Sequence, residues 1–171
     1  MKWFIRLIGL LILALIGAVI TGFVLPAHTE HTRTITLKQT PDAVFAALAD
    51  VQKMPEWNRN LEKVELLSPI NGKEATKQTF KGGMTMTIVT TENLPPTHLV
   101  RAMRDVSGPF VGSWTYEISP VADGCTVVLK EKSEVNNPIF RVMMLIFGQT
   151  KYMDEHLTDL AKHLGESAKV R

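Results

Sequence analysis

The sequence predicts an α+β protein in which an antiparallel sheet of about seven strands packs on a long C-terminal helix, with two short helices after the first strand. An N-terminal transmembrane helix precedes this domain. Three observations predict the arrangement: an uncharged run from Leu7 to Leu25, a series of short period-2 segments between Leu61 and Val135, and an apolar stripe spaced by threes and fours from Ile139 to Leu164.

The run from Leu7 to Leu25 holds nineteen residues without a charge. As a helix it covers about 28 Å, enough to cross the hydrocarbon of a bilayer. A cleaved signal peptide has a shorter apolar core, of about 7 to 15 residues, and a small-x-small cleavage site. Leu25-Pro26-Ala27 fits that poorly, so a retained anchor is the preferred reading. Lys2 and Arg6 precede the run, which places the N-terminus in the cytoplasm and the domain on the extracytoplasmic side, periplasmic in a Gram-negative bacterium. The organisation expected is an anchor over 1–26, a polar linker over 27–32, one domain over 33–165 and a frayed tail over 166–171.

Of the 19 basic residues two lie in the anchor region, leaving 17 against 17 acidic ones. The domain is therefore formally neutral, and it lacks the cationic field that nucleic-acid binding requires. Cys125 is alone, which excludes an internal disulfide and a cysteine metal cluster.

Arg33 to Lys38 alternates and reads as a strand with Ile35 and Leu37 turned inward. Thr40 is a good N-cap, Pro41 suits the first helical position and Asp42 favours the positive end of the dipole, so a helix runs to about Asp50. Val44, Phe45 and Leu48 supply its apolar stripe. Pro55-Glu56-Trp57-Asn58 marks a second, shorter helical turn. Strands follow at Val64–Ser68, Ala75–Phe80, Met84–Glu92, His98–Asp105, Gly112–Ser119 and Thr126–Val135, divided by turn residues such as Asn71-Gly72, Gly82-Gly83, Gly108-Pro109 and Asp123-Gly124. They form an antiparallel meander. Met84, Met86 and Ile88 share one face, as do Trp114, Tyr116 and Ile118. After Asn137-Pro138 a single long helix is expected, its stripe of Ile139, Met143, Ile146, Thr150, Met153, Leu157, Leu160 and Leu164 packing on the sheet, with Gly165 as its C-cap.

The order of these elements, with Pro-x-x-Val-Phe at Pro41–Phe45, Asp50 and then Pro55-x-Trp57, resembles the START/Bet v 1-like (SRPBCC) superfamily, including its polyketide cyclase/dehydrase-like members. The resemblance covers about Thr32 to Leu164. It implies a helix-grip fold, a curved sheet wrapped around the C-terminal helix, often with a deep apolar cavity between them. It does not imply one ligand or one reaction, since the fold hosts lipid carriers, cyclases and receptors alike.

No catalytic constellation stands out. Glu117 and Glu131 lie on strands, His98, His156 and His163 are scattered, and Ser113 and Ser133 lack a nucleophile motif. His28 and His31 read as a polar interfacial tether rather than a metal site, and no cofactor is implied. Methionines and aromatics are more informative: Met84, Met86, Met103, Trp114, Tyr116, Met143 and Phe147 are the candidate lining of a cavity for a hydrophobic small molecule or lipid. Ile139 to Phe147 is apolar nearly all round, more than one buried stripe needs. Phe140 and Met144 are therefore candidates for a portal facing the bilayer. The expected function is a membrane-anchored, non-catalytic container. The alternatives are a cyclase/dehydrase-like enzyme or an envelope interaction domain with a filled core.

Overall fold

The computed structural model describes residues 2–104 and 110–171. The expected turn at Gly108-Pro109 and the end of the fifth strand at Asp105 lie outside the described residues. Helix α1 (Lys2–Val24) is followed by strand β1 (His28–Leu37), helices α2 (Pro41–Ala49) and α3 (Met54–Trp57), strands β2 (Leu61–Ile70), β3 (Lys73–Phe80), β4 (Thr85–Leu94), β5 (His98–Met103), β6 (Phe110–Val121) and β7 (Gly124–Val135), and helices α4 (Pro138–Phe147) and α5 (Lys151–His163).

The seven strands form one antiparallel, curved sheet in the order β1-β7-β6-β5-β4-β3-β2. β1 and β2 are thus opposite edges, and α2 and α3 carry the chain across from one to the other. α2 starts as its residues dictate: the Thr40 hydroxyl accepts from the Ala43 amide at 3.3 Å, Pro41 opens the first turn, and Val44, Phe45 and Leu48 are buried. On β7 the alternation of Cys125, Val127 and Leu129 faces inward, against Ile35 and Leu37 of β1 and Tyr116 and Ile118 of β6. α5 lies on this face and completes the core with Met153, Leu157, Leu160 and Ala161.

Three expectations change. The long C-terminal helix is two helices, because Gly148 adopts φ 92°, a conformation that ends α4 and re-aims the chain. Residues 28–32, expected as linker, are the first half of β1, where His28 to Thr32 pair with Glu134 to Lys130 of β7. Their polar alternation satisfies a two-sided edge strand, which composition alone does not separate from a tether. The tail is docked: Arg171 and Thr34 exchange backbone hydrogen bonds at 2.8 and 2.9 Å, and the Glu166 carboxylate accepts from the Lys38 amide. Ala168 and Val170 pack on the core.

α1 is long and apolar enough to cross a membrane, with 6% of its apolar window buried inside the molecule. Its C-terminal end is tied to α4. Arg141 donates from Nη1 to the carbonyls of Gly22 and Leu25 at 3.2 and 3.1 Å, and from Nε to Val135 at 2.7 Å, so one guanidinium caps the orphan carbonyls of α1. A Cβ on Gly22 would stand 2.1 Å from the Pro138 carbonyl oxygen, so only glycine admits this approach.

Candidate functional site

A cavity of about 360 Å³ lies between the sheet, α3, α4 and the start of α5. Its sheet wall is apolar where strand parity turns Met86, Ile88 and Leu129 inward, and α4 contributes Phe140, Met143, Met144 and Phe147 from the other side. Of the cavity candidates, Met84, Met86, Trp114, Tyr116, Met143 and Phe147 line it. Met103 shares the inner face with Arg101 but stands at the end of β5, outside the lining. Phe140 and Met144 are half-buried and line the cavity, Phe147 lines its outer edge, and Leu145 and Ile146, outside the lining, are the outward side of α4, with Ile146 71% exposed. The helix thus has two apolar faces, one inward and one outward.

The lining also holds polar residues that sequence reasoning left aside: Asn58, Gln78, Arg101, Glu131 and His156. Helix α3 and its exit are pinned to α5, because Arg59 donates from its backbone and its Nε to the buried Asp159 carboxylate at 3.0 and 2.8 Å, and Asn60 donates to Glu155 at 2.8 Å. This sets Asn58 against His156. The Asn58 Oδ1 accepts from the Asn60 amide at 3.0 Å, so its Nδ2 faces the imidazole and donates to Nδ1 at 3.1 Å. The ring then carries its proton on Nε2 and donates it to the Tyr116 hydroxyl oxygen, 3.1 Å away. Burial, with the Arg101 charge adding, pushes the His156 pKa down to about 4, consistent with a neutral ring. Burial pushes the Tyr116 phenol up to about 12.

Arg101 projects from the middle of β5 with 4% of its surface exposed. Its Nη2 donates to the Leu48 carbonyl at 2.8 Å and its Nη1 meets the Met54 sulfur at 3.6 Å. Its Nε–H has no hydrogen-bond partner, and among the described residues no carboxylate forms an ion pair with it. Burial lowers its pKa, yet a guanidinium stays charged. Glu131 accepts from the Trp114 indole at 2.7 Å, and burial raises its pKa. His31, expected as tether, sits opposite Glu131 in the β1–β7 register with a buried, unpartnered Nε2. Among the described residues no group of three metal-ligating side chains occurs.

Residues 28–165 match the sequence model of the family described as "Polyketide cyclase / dehydrase and lipid transport". The chain belongs to this family. Solved structures similar to this polyketide cyclase/dehydrase-family chain include the di-domain aromatase/cyclase BexL from the BE-7585A biosynthetic pathway, at TM-score 0.67 and 12% identity, covering 95% of this chain and 59% of that one. A conserved protein from Geobacillus kaustophilus matches at TM-score 0.65 and 16% identity, over 84% of this chain and 99% of its own. The Zhui aromatase/cyclase from Streptomyces sp. R1128 matches at 0.61 and 19%, over 78% and 90%. The chain spans 59% and 50% of the lengths of the di-domain proteins BexL and StfQ. At these identities the likenesses show the helix-grip fold alone. No curated protein matches the chain in sequence.

Proposed function

We propose that this family member is a membrane-anchored, non-catalytic container that takes an apolar small molecule or lipid into the cavity through α4. The observation that carries the reading is the double face of α4. Phe140 and Met144 line the cavity, Leu145 and Ile146 face outward, and Arg141 ties the helix to the end of α1. With only Leu25, Pro26 and Ala27 between α1 and β1, an anchor that spans a bilayer brings α4 to its surface. An apolar helix at the interface lets a ligand pass between lipid and cavity without crossing water. Lys2 and Arg6 ahead of the apolar run favour the extracytoplasmic side for the domain in this reading.

The test is exchange of a fluorescent acyl lipid between donor vesicles that hold the full-length protein and acceptor vesicles. Phe140→Asp with Met144→Asp should abolish exchange, while Leu145→Asp with Ile146→Asp should slow it and leave ligand capacity intact. Unchanged exchange in folded variants of both kinds overturns the reading.

An enzyme of the cyclase or dehydrase kind is favoured by one observation, the Glu131 carboxyl in the lining with its pKa raised by burial. It requires turnover of a reactive polyketide chain that Glu131→Gln removes. A protein that binds such a chain and returns it unchanged is a carrier.

A further inference from the structure

Two hydrogen-bond donors in the cavity wall are unspent. Arg101 is a buried cation whose Nε–H has no hydrogen-bond partner, and no carboxylate among the described residues forms an ion pair with it, Glu74 acting on it only through its charge. Tyr116 is the second. Because Asn58 presents its amide nitrogen to His156 Nδ1, the imidazole must donate from Nε2 to the Tyr116 oxygen. The tyrosine's own O–H proton is therefore left over, and its ring sits in the same lining as Arg101. The two residues are on neighbouring, paired strands: β5 and β6 align Leu99 with Tyr116 and Arg101 with Trp114, so both point to the inner face.

Leaving a charged donor buried and unpaired is expensive, because both desolvation and the missing bond act against it. Such a cation persists where a partner arrives from outside the chain. We propose that Arg101 and Tyr116 form a receptor for the anionic head of the ligand, so that the cargo is an amphiphile with one acidic group held at the α3 end and its apolar chain running toward α4. The inference rests on the container reading and names its ligand class. A carboxylate or a phosphate monoester supplies the required chemistry, two or more acceptor lone pairs and a negative charge. About 360 Å³, at roughly 30 Å³ for a water-sized group, holds on the order of a dozen heavy atoms, which suits a single chain.

The experiment uses the full-length protein in lipid nanodiscs with dodecanoate carrying ¹³C at its carboxyl. Its bound resonance should titrate below that of dodecanoate partitioned into empty nanodiscs, since a neighbouring guanidinium favours the carboxylate. Methyl dodecanoate should bind at least tenfold more weakly. Arg101→Gln should weaken the acid at least tenfold and the ester less than twofold, Arg101→Lys should restore part of the difference, and Tyr116→Phe should weaken the acid by a smaller factor. Dodecyl phosphate as competitor distinguishes the heads: stronger displacement than by unlabelled dodecanoate assigns the site to phosphate monoesters, weaker displacement to carboxylates. Equal binding of acid and ester to the unmodified protein overturns the anionic receptor and leaves the container standing. Binding of neither removes the container itself.

Discussion

His156 is a residue whose ionisation the fold controls strongly. Its folded pKa of about 4 lies below the ordinary 6.5, so between these values the unfolded chain binds a proton that the folded protein refuses. Stability therefore rises with pH across that window and is lost as pH falls from about 6.5 to 4, by on the order of 3 kcal/mol if the whole shift is expressed. His156→Gln should flatten this slope in chemical denaturation at pH 7 and pH 4.5; an unchanged slope would show that the ring does not carry it. Glu131 works in the opposite sense, since its raised carboxyl makes the folded state the better proton binder, and comparison of the variant with the parent cancels that contribution. Neither residue was legible as a site from sequence. His156 does fall in step with Met153 and Leu160, spacings of three and four that put it on the buried stripe of α5. Arg101 likewise shares strand parity with Leu99. Parity says that a polar side chain points inward; only the packing says what it meets.

At the scale of elements, α4 and α5 divide labour on either side of Gly148. α5 buries Leu157 and Leu160 completely, and Leu157→Ala should destabilise the domain by about 2–5 kcal/mol in urea denaturation. α4 has no buried residue, so Ile146→Asp should leave stability within about 0.5 kcal/mol while impairing exchange. The contact between α4 and α1 depends on Gly22, against which Pro138 packs. Gly22→Leu should separate the two helices, read as faster hydrogen exchange of the α4 amides with the sheet amides unchanged. Protection of α4 equal to that of the parent would refute the role given to this contact. A glycine in an apolar run is unremarkable in sequence, since its value here lies in a partner 116 residues away.

For the whole molecule, the apolar helix α1, a three-residue connection and a cavity flanked by the apolar helix α4 are contiguous. A spanning α1 predicts that the protein stays with membranes through high salt and alkaline carbonate and leaves only with detergent. Protease added to sealed inverted vesicles should spare the domain if the N-terminus is cytoplasmic. Recovery in the aqueous supernatant would mean that the helix is a removed leader, and digestion of the domain in inverted vesicles would reverse the orientation.

Local chemistry settled the apolar helix, the Thr40-Pro41 helix start, the hairpin series and the methionine-rich inner face, because periodicity and capping are properties of neighbours along the chain. The resemblance carried by Pro41–Phe45 and Trp57 extended this to the helix-grip fold. The break at Gly148, the docked tail at Thr34 and Arg171, and the Asn58–His156–Tyr116 chain in one lining with an Arg101 whose Nε–H has no partner came only with tertiary structure. They depend on groups from opposite ends of the chain meeting in a water-poor space, where one hydrogen bond made or left unmade decides the chemistry.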